Sequence, residues 1–112
     1  MTKIKTFYLA VFSLTILGLT LPSISIAQEK AVWVDVRTPY EWDKGHLKNA
    51  VLIPYNEIAT KIQTVVKDRK QLINLYCGSG RRAEVARETL VRMGYTNVQN
   101  RGRYEQLRKI VP

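Results

Sequence analysis

Apolar residues come in short bursts along most of this chain, each closed by turn-forming residues. AVWVDVR, Ala31 to Arg37, alternates and is rich in valine, the pattern of a buried strand. Thr38-Pro39 then supplies an N-cap and a first-turn proline for a short helix through about Lys44, which Gly45 ends. AVLIP, Ala50 to Pro54, predicts a second short strand, and Asn56 is placed to cap a helix carrying Ile58, Ile62, Val65 and Val66 on one face. QLINLYC predicts a third strand ending at Cys77, followed by a glycine-bearing turn and a helix from about Arg82 to Met93, with Gly94 just past its end. NVQN predicts a fourth strand, Gly102 a turn, and Arg103 to Ile110 a last helix with Leu107 and Ile110 facing inward.

Strands alternating with helices predict an α/β fold, a small and mostly parallel central sheet flanked by helices. No internal repeat, low-complexity tract or linker interrupts residues 28–112, so they read as one domain. In open parallel sheets, ligands bind beyond the carboxyl ends of the strands, and Cys77 falls at such an end.

Residues 1–27 follow a different pattern. Lys3 and Lys5 precede a largely apolar run from Phe7 to Leu21, and small residues stand at Ser25 and Ala27. This is the layout of a secretory signal, with cleavage expected between Ala27 and Gln28 and export from the cytoplasm. An uncleaved anchor is the alternative, but the run falls short of the ~20 residues that span a bilayer; no stable membrane association is expected once the signal is removed. Cleavage would leave a domain large enough for one modest core.

Charge narrows the partners. The full chain carries a net charge of +9; residues 28–112 keep every acidic residue and lose only Lys3 and Lys5, which leaves +7. A basic surface favours anions, among them phospholipid headgroups, small oxyanions and nucleic acid, and export argues against nucleic acid.

Cys77 is the single cysteine and cannot form an internal bridge. It opens the run CGSGRR. Gly78, Ser79, Gly80, Arg81 and Arg82 can curl backbone N–H groups inward at a helix N-terminus, a nest that favours a thiolate over a thiol, and the arginines add full positive charge. A core cysteine that merely packs is the plain alternative; the reactive reading expects an ionised sulfur open to receive a second, and a sulfur both sequestered and an ordinary thiol would undo it. Loop length separates chemistries as well. Phosphatase-type loops place five residues between cysteine and arginine, whereas here the sixth position after Cys77 is Ala83 and the arginines fall at the fourth and fifth. The tighter loop fits a smaller species, such as one sulfur atom carried on Cys77.

CGSGRRAEVA resembles the active loop of rhodanese-like sulfurtransferases, and VDVRTPYEWDKGHLKNAVLIP is similar to that family's run of Asp-x-Arg, a following Glu, Gly-His and a strand ending in Ile-Pro. Length and export signal resemble its small periplasmic single-domain members, which implies a periplasmic protein. The resemblance implies a thiosulfate sulfurtransferase: Cys77 takes the outer sulfur of a small anionic donor such as thiosulfate and passes it to a thiophilic acceptor such as cyanide or a thiol, through a persulfide, in a monomer without metal or organic cofactor. It implies supporting roles for Asp35 and Arg37, which could brace the loop or pair with Glu41, and a conformational role for His46. Trp33 and Trp42 read as packing aromatics.

The chain departs from the family pattern at Arg103, where a second glycine is common, and at Ala83, where serine is common. Arg103 would be strained if its site required a positive φ; otherwise it adds a cation beside the pocket. Two other readings are a noncatalytic rhodanese-like module that holds an anion or a protein partner, and a thiol redox protein, which the lack of a resolving cysteine disfavours.

Overall fold

The valine-rich stretch forms β1 (Val32–Asp35), and successive elements follow the alternation of the sequence: α1 (Pro39–Asp43), β2 (Val51–Leu52), a 3-10 turn (Tyr55–Glu57), α2 (Ile58–Val65), β3 (Ile73–Cys77), α3 (Arg81–Arg92), β4 (Val98–Arg103) and α4 (Tyr104–Leu107). The computed structural model describes residues 30–112; the expected targeting segment and its cleavage point lie outside them. Among the described residues no helix is long and apolar enough to cross a membrane.

The four strands form one parallel sheet in the order β2-β1-β3-β4. β3 is central and buried along its whole length, and its alternating side chains divide between two layers. Ile73, Leu75 and Cys77 join Val34, Val36, Ile58, Ile62, Ala83, Ala86 and Leu90 in the main core under α2 and α3. Tyr76 faces the opposite way, into a smaller cluster with Leu47, Leu107, Trp33 and Tyr104.

Three local expectations are corrected. Asn56 does not cap α2: it lies within the 3-10 turn that follows Pro54, and Glu57 occupies the cap position without a side-chain bond. Val65 is turned toward solvent, while Val66, already extended beyond the helix, takes the buried place. The last helix is a single turn: β4 keeps Arg103, so the helix starts one residue later than expected, and it ends at Leu107, three residues before Ile110. Ile110 is consequently 74% exposed, and Val111 packs against the smaller cluster in its stead.

The first turn of α1 is built as its sequence predicts. Thr38 Oγ1 accepts from the Glu41 N–H, and Glu41 Oε1 accepts from the Thr38 N–H, a reciprocal capping box with Pro39 in the first turn. Gly45 ends this segment at φ 144°, a conformation that favours glycine, and a Cβ there would stand 2.8 Å from the Tyr104 hydroxyl.

Candidate active site

Cys77 is the last residue of the central strand, and α3 starts four residues later, so strand end and helix start together set the sulfur's surroundings. Gly80 turns the chain through φ 95°, and its N–H donates to Cys77 Sγ at 2.9 Å. The expected ring of amides is thus realised at the sulfur by one amide; the Arg81 N–H goes to Ser79 Oγ at 3.3 Å. The sulfur thus faces a donor N–H at the start of a twelve-residue helix.

The sulfur is not open to solvent. Cys77 has no exposed surface and belongs to the main apolar core, as the packing alternative predicted. The physical reason is its place at the end of a fully buried strand, roofed by exposed Gly78 and Ser79. A Cβ on Gly78 would lie 3.3 Å from Arg82 Nη2 and 3.6 Å from Glu41 Oε2, so these two side chains lie against the same roof.

Arg82 and Glu41 form a two-pronged pair, with Nη1–Oε1 at 2.8 Å and Nη2–Oε2 at 2.9 Å. The Arg82 hydrogen bond holds the Glu41 carboxyl at about 2, against the opposing effect of burial and with help from Thr38. Arg82 is raised in turn, first by its hydrogen bond to Glu41, with burial opposing and the nearby Cys77 sulfur adding to the effect. The pair therefore ties α1 to the start of α3 directly over the cysteine loop. Arg81 is exposed and, among the described residues, has no ion-pair partner.

A carboxyl lowered in the folded state stabilises the fold above its ordinary pKa, and that contribution is lost as pH falls through the folded value. Glu41→Gln should accordingly lower stability by about 1 kcal/mol near neutral pH, the size of a well-aligned, partly exposed pair. The deficit should shrink between pH 4.5 and about 2, as denaturant titrations of both proteins over that range would show. The same variant should speed alkylation of Cys77 by iodoacetamide at pH 7, by about 3-fold or more, because it loosens one side of the roof.

Asp35 and Arg37 are brought together, but with each other and not with Glu41. Asp35 is fully buried; Arg37 Nε and Nη2 donate to its carboxylate at 2.9 and 2.7 Å, and Nη2 also donates to the Gly45 carbonyl at 2.7 Å. The Arg37 guanidinium lies 4.4 Å from the Tyr104 ring centre. Burial pulls the Arg37 pKa down, and the hydrogen bond and charge of Asp35 more than reverse this. The pair locks the end of β1 to the Gly45 turn and α4, beside β3, whose Tyr76 hydroxyl accepts from the Leu47 N–H at 3.0 Å. None of these bonds reaches the sulfur loop.

His46 is exposed, stacked on Trp42 with ring centres 3.4 Å apart, and its Nδ1 lies 3.0 Å from the Trp42 carbonyl. Its contacts are those of a turn. Trp33 packs on the far face beside Tyr76 and under the Arg101 guanidinium. A hollow of about 210 Å³ on that far face, lined by Trp33, Leu47, Asn49, Ala50, Val111 and Pro112, includes no residue of the cysteine loop.

Sequence reasoning missed the roles of two residues of the site. Glu41 was expected beside Asp35 and Arg37, whereas its partner is Arg82, 41 positions away. Asn100 fastens β4 to the loop: its Nδ2 donates to the Gly80 carbonyl at 2.9 Å, and its Oδ1 accepts from the Gly102 N–H. No signal in NVQN marks it.

With this geometry the comparisons with known proteins agree. Residues 24–101 match the family described as Rhodanese-like domain. The chain is 40% identical over 70 residues to the thiosulfate sulfurtransferase PspE of Escherichia coli, an alignment covering 62% of this chain and 67% of that one. It is 34% identical over 77 residues to a tRNA uridine(34) hydroxylase of Hamiltonella defensa, but spans only 22% of that protein's length. Among solved structures, a rhodanese with anions from E. coli superposes with a TM-score of 0.70 at 35% identity, covering 74% of this chain and 95% of that one. Sequence, sheet and loop agree, and the chain belongs to the rhodanese-like sulfurtransferase family.

Proposed function

We propose that this protein is an exported thiosulfate sulfurtransferase that carries sulfane sulfur on Cys77. The observation that carries the reading is the placement of Sγ: at the carboxyl end of the central strand, bonded by the Gly80 N–H at the start of α3, with Arg82 alongside. In the first step the Cys77 thiolate attacks the outer sulfur of thiosulfate. The S–S bond of the donor breaks, sulfite leaves with its electron pair, and the anionic persulfide remains on Cys77. In the second step cyanide or a thiolate attacks the terminal sulfur, the Cys77–S bond breaks, and the thiolate is restored. Loop amides, with Gly78, Ser79 and Gly80 bearing little or no side chain, hold the persulfide, and Arg81 and Arg82 attract the donor.

Access to the buried sulfur requires the roof to move. Glycines at 78 and 80 make that movement inexpensive, and a dianionic donor can take over the Arg82 contacts that Glu41 makes in the resting protein. Residues 1–27 act as the secretory signal and residues 28–112 as the working domain, placing the activity in the periplasm. The similarity to the thiosulfate sulfurtransferase PspE supports the reaction, and the basic balance of the chain suits an anionic donor.

Two-substrate initial-rate measurements test the reading. Thiosulfate varied at several cyanide concentrations should give parallel double-reciprocal lines, the pattern of a covalent enzyme intermediate; intersecting lines would exclude it. Full burial of Cys77 favours one competitor, a noncatalytic module that binds an anion or a protein partner. That reading predicts tight oxyanion binding with no sulfite release from any donor.

A further inference from the structure

The geometry points to Arg103 as the residue that selects doubly charged sulfur donors, an inference that rests on the sulfurtransferase reading and adds a specificity determinant to it. β4 pairs with β3 through Leu75↔Asn100 and then Cys77↔Arg103, so β4 contains one more residue than β3 over that interval. The extra residue makes a bulge at Gly102, whose φ is 89°. The bulge touches the cysteine loop: a Cβ on Gly80 would lie 3.5 Å from the Gly102 Cα.

The consequence falls on the next residue. Arg103 becomes the sheet partner of Cys77, about 5 Å away across the ladder. Its backbone is ordinary extended chain, φ −106° and ψ 133°, so the arginine sits there without strain. Its side chain is exposed and, among the described residues, makes no ion pair.

The other charges nearby are already committed. In the resting protein Arg82 is paired with Glu41, which a donor must displace to reach it; Glu84 is held by Arg87 and Asn100, and Glu105 by Arg108. Arg81 and Arg103 remain, among the described residues, as cations without an ion pair, bordering the loop from α3 and from β4, although Glu105 is close enough to feel the charge of Arg103. Two cations on separate elements suit a dianion better than a monoanion, because the attraction scales with ligand charge and neither cation must abandon a partner. Thiosulfate is such a dianion; an organic thiosulfonate offers the same sulfane sulfur with a single negative charge.

Kinetics with both donors test the assignment. Arg103→Ala should raise the KM for thiosulfate about 3- to 10-fold with kcat within about twofold, raise the KM for methanethiosulfonate less than about twofold, and flatten the salt dependence of kcat/KM. Arg103→Lys should restore most of the thiosulfate KM. Arg92→Ala removes the same charge from the far end of α3 and should change neither donor. An unchanged thiosulfate KM in active Arg103→Ala, or equal losses for both donors, overturns the role of Arg103 and leaves the sulfurtransferase reading standing. Wild-type protein that transfers sulfur from neither donor overturns both.

Discussion

Cys77→Ser is expected to lose at least about a thousandfold in thiocyanate formation from thiosulfate and cyanide, while remaining folded. A serine hydroxyl is not ionised near neutral pH and cannot carry the sulfur, so the covalent route is removed and not merely slowed. The substitution places a hydroxyl where a thiol packs in the core, at a cost of about 1–3 kcal/mol, reduced here because the Gly80 N–H offers it a partner. Circular dichroism should show native secondary structure, and Cys77→Ala, which adds no polar group, should be equally inactive. A folded serine variant that keeps the wild-type rate would mean the chemistry lies elsewhere.

Arg37→Ala should produce the largest loss of stability. It leaves the Asp35 carboxylate fully buried without the cation that pairs with it and also removes the donor to the Gly45 carbonyl. Breaking a buried pair from one side costs about 3–5 kcal/mol, a large share of the total stability of so small a domain. For a domain of this size the melting temperature should fall on the order of 15 °C, and part of the chain should already be unfolded at 37 °C. Arg37→Lys keeps the charge but cannot span the carboxylate and the carbonyl with one planar fork, so it should fall between the two. Asp35→Asn with Arg37→Met, which removes both charges, should recover much of the loss. Thermal melts of the four proteins settle the order; an Arg37→Ala protein that melts within a few degrees of wild type would show that the pair is not what locks β1 to the Gly45 turn.

How far this site was legible follows from the range over which each interaction acts. The capping box at Thr38 and Glu41, the turn at Gly45 and the end of α3 before Gly94 rest on neighbours within a few residues, and they stand where the pattern places them. Cys77 at a strand end was equally visible, because β3 and α3 are each strongly patterned. The Glu41–Arg82 clasp was not, since it joins helices that only the fold brings together. Burial of Cys77 was hidden for a related reason: two glycines and two arginines look like exposed loop, yet the sulfur itself points inward with Leu75 and Ile73. The end of α4 was hidden because Leu107 and Ile110 have helical spacing, whereas the helix stops at Leu107 and Val111 packs against the smaller cluster; its start differs by Arg103 alone, which the bulge at Gly102 keeps in β4. That same bulge relieves Arg103 of the strain that a positive φ would have imposed, so the departure from the family's second glycine is a change of charge and not of backbone.

The most direct test is the intact mass of the protein after incubation with thiosulfate and removal of the excess. The account predicts a gain of about 32 Da, one sulfur atom, confined to the peptide containing Cys77 and discharged by cyanide as thiocyanate. An unchanged mass, or an adduct that cyanide does not remove, would contradict it.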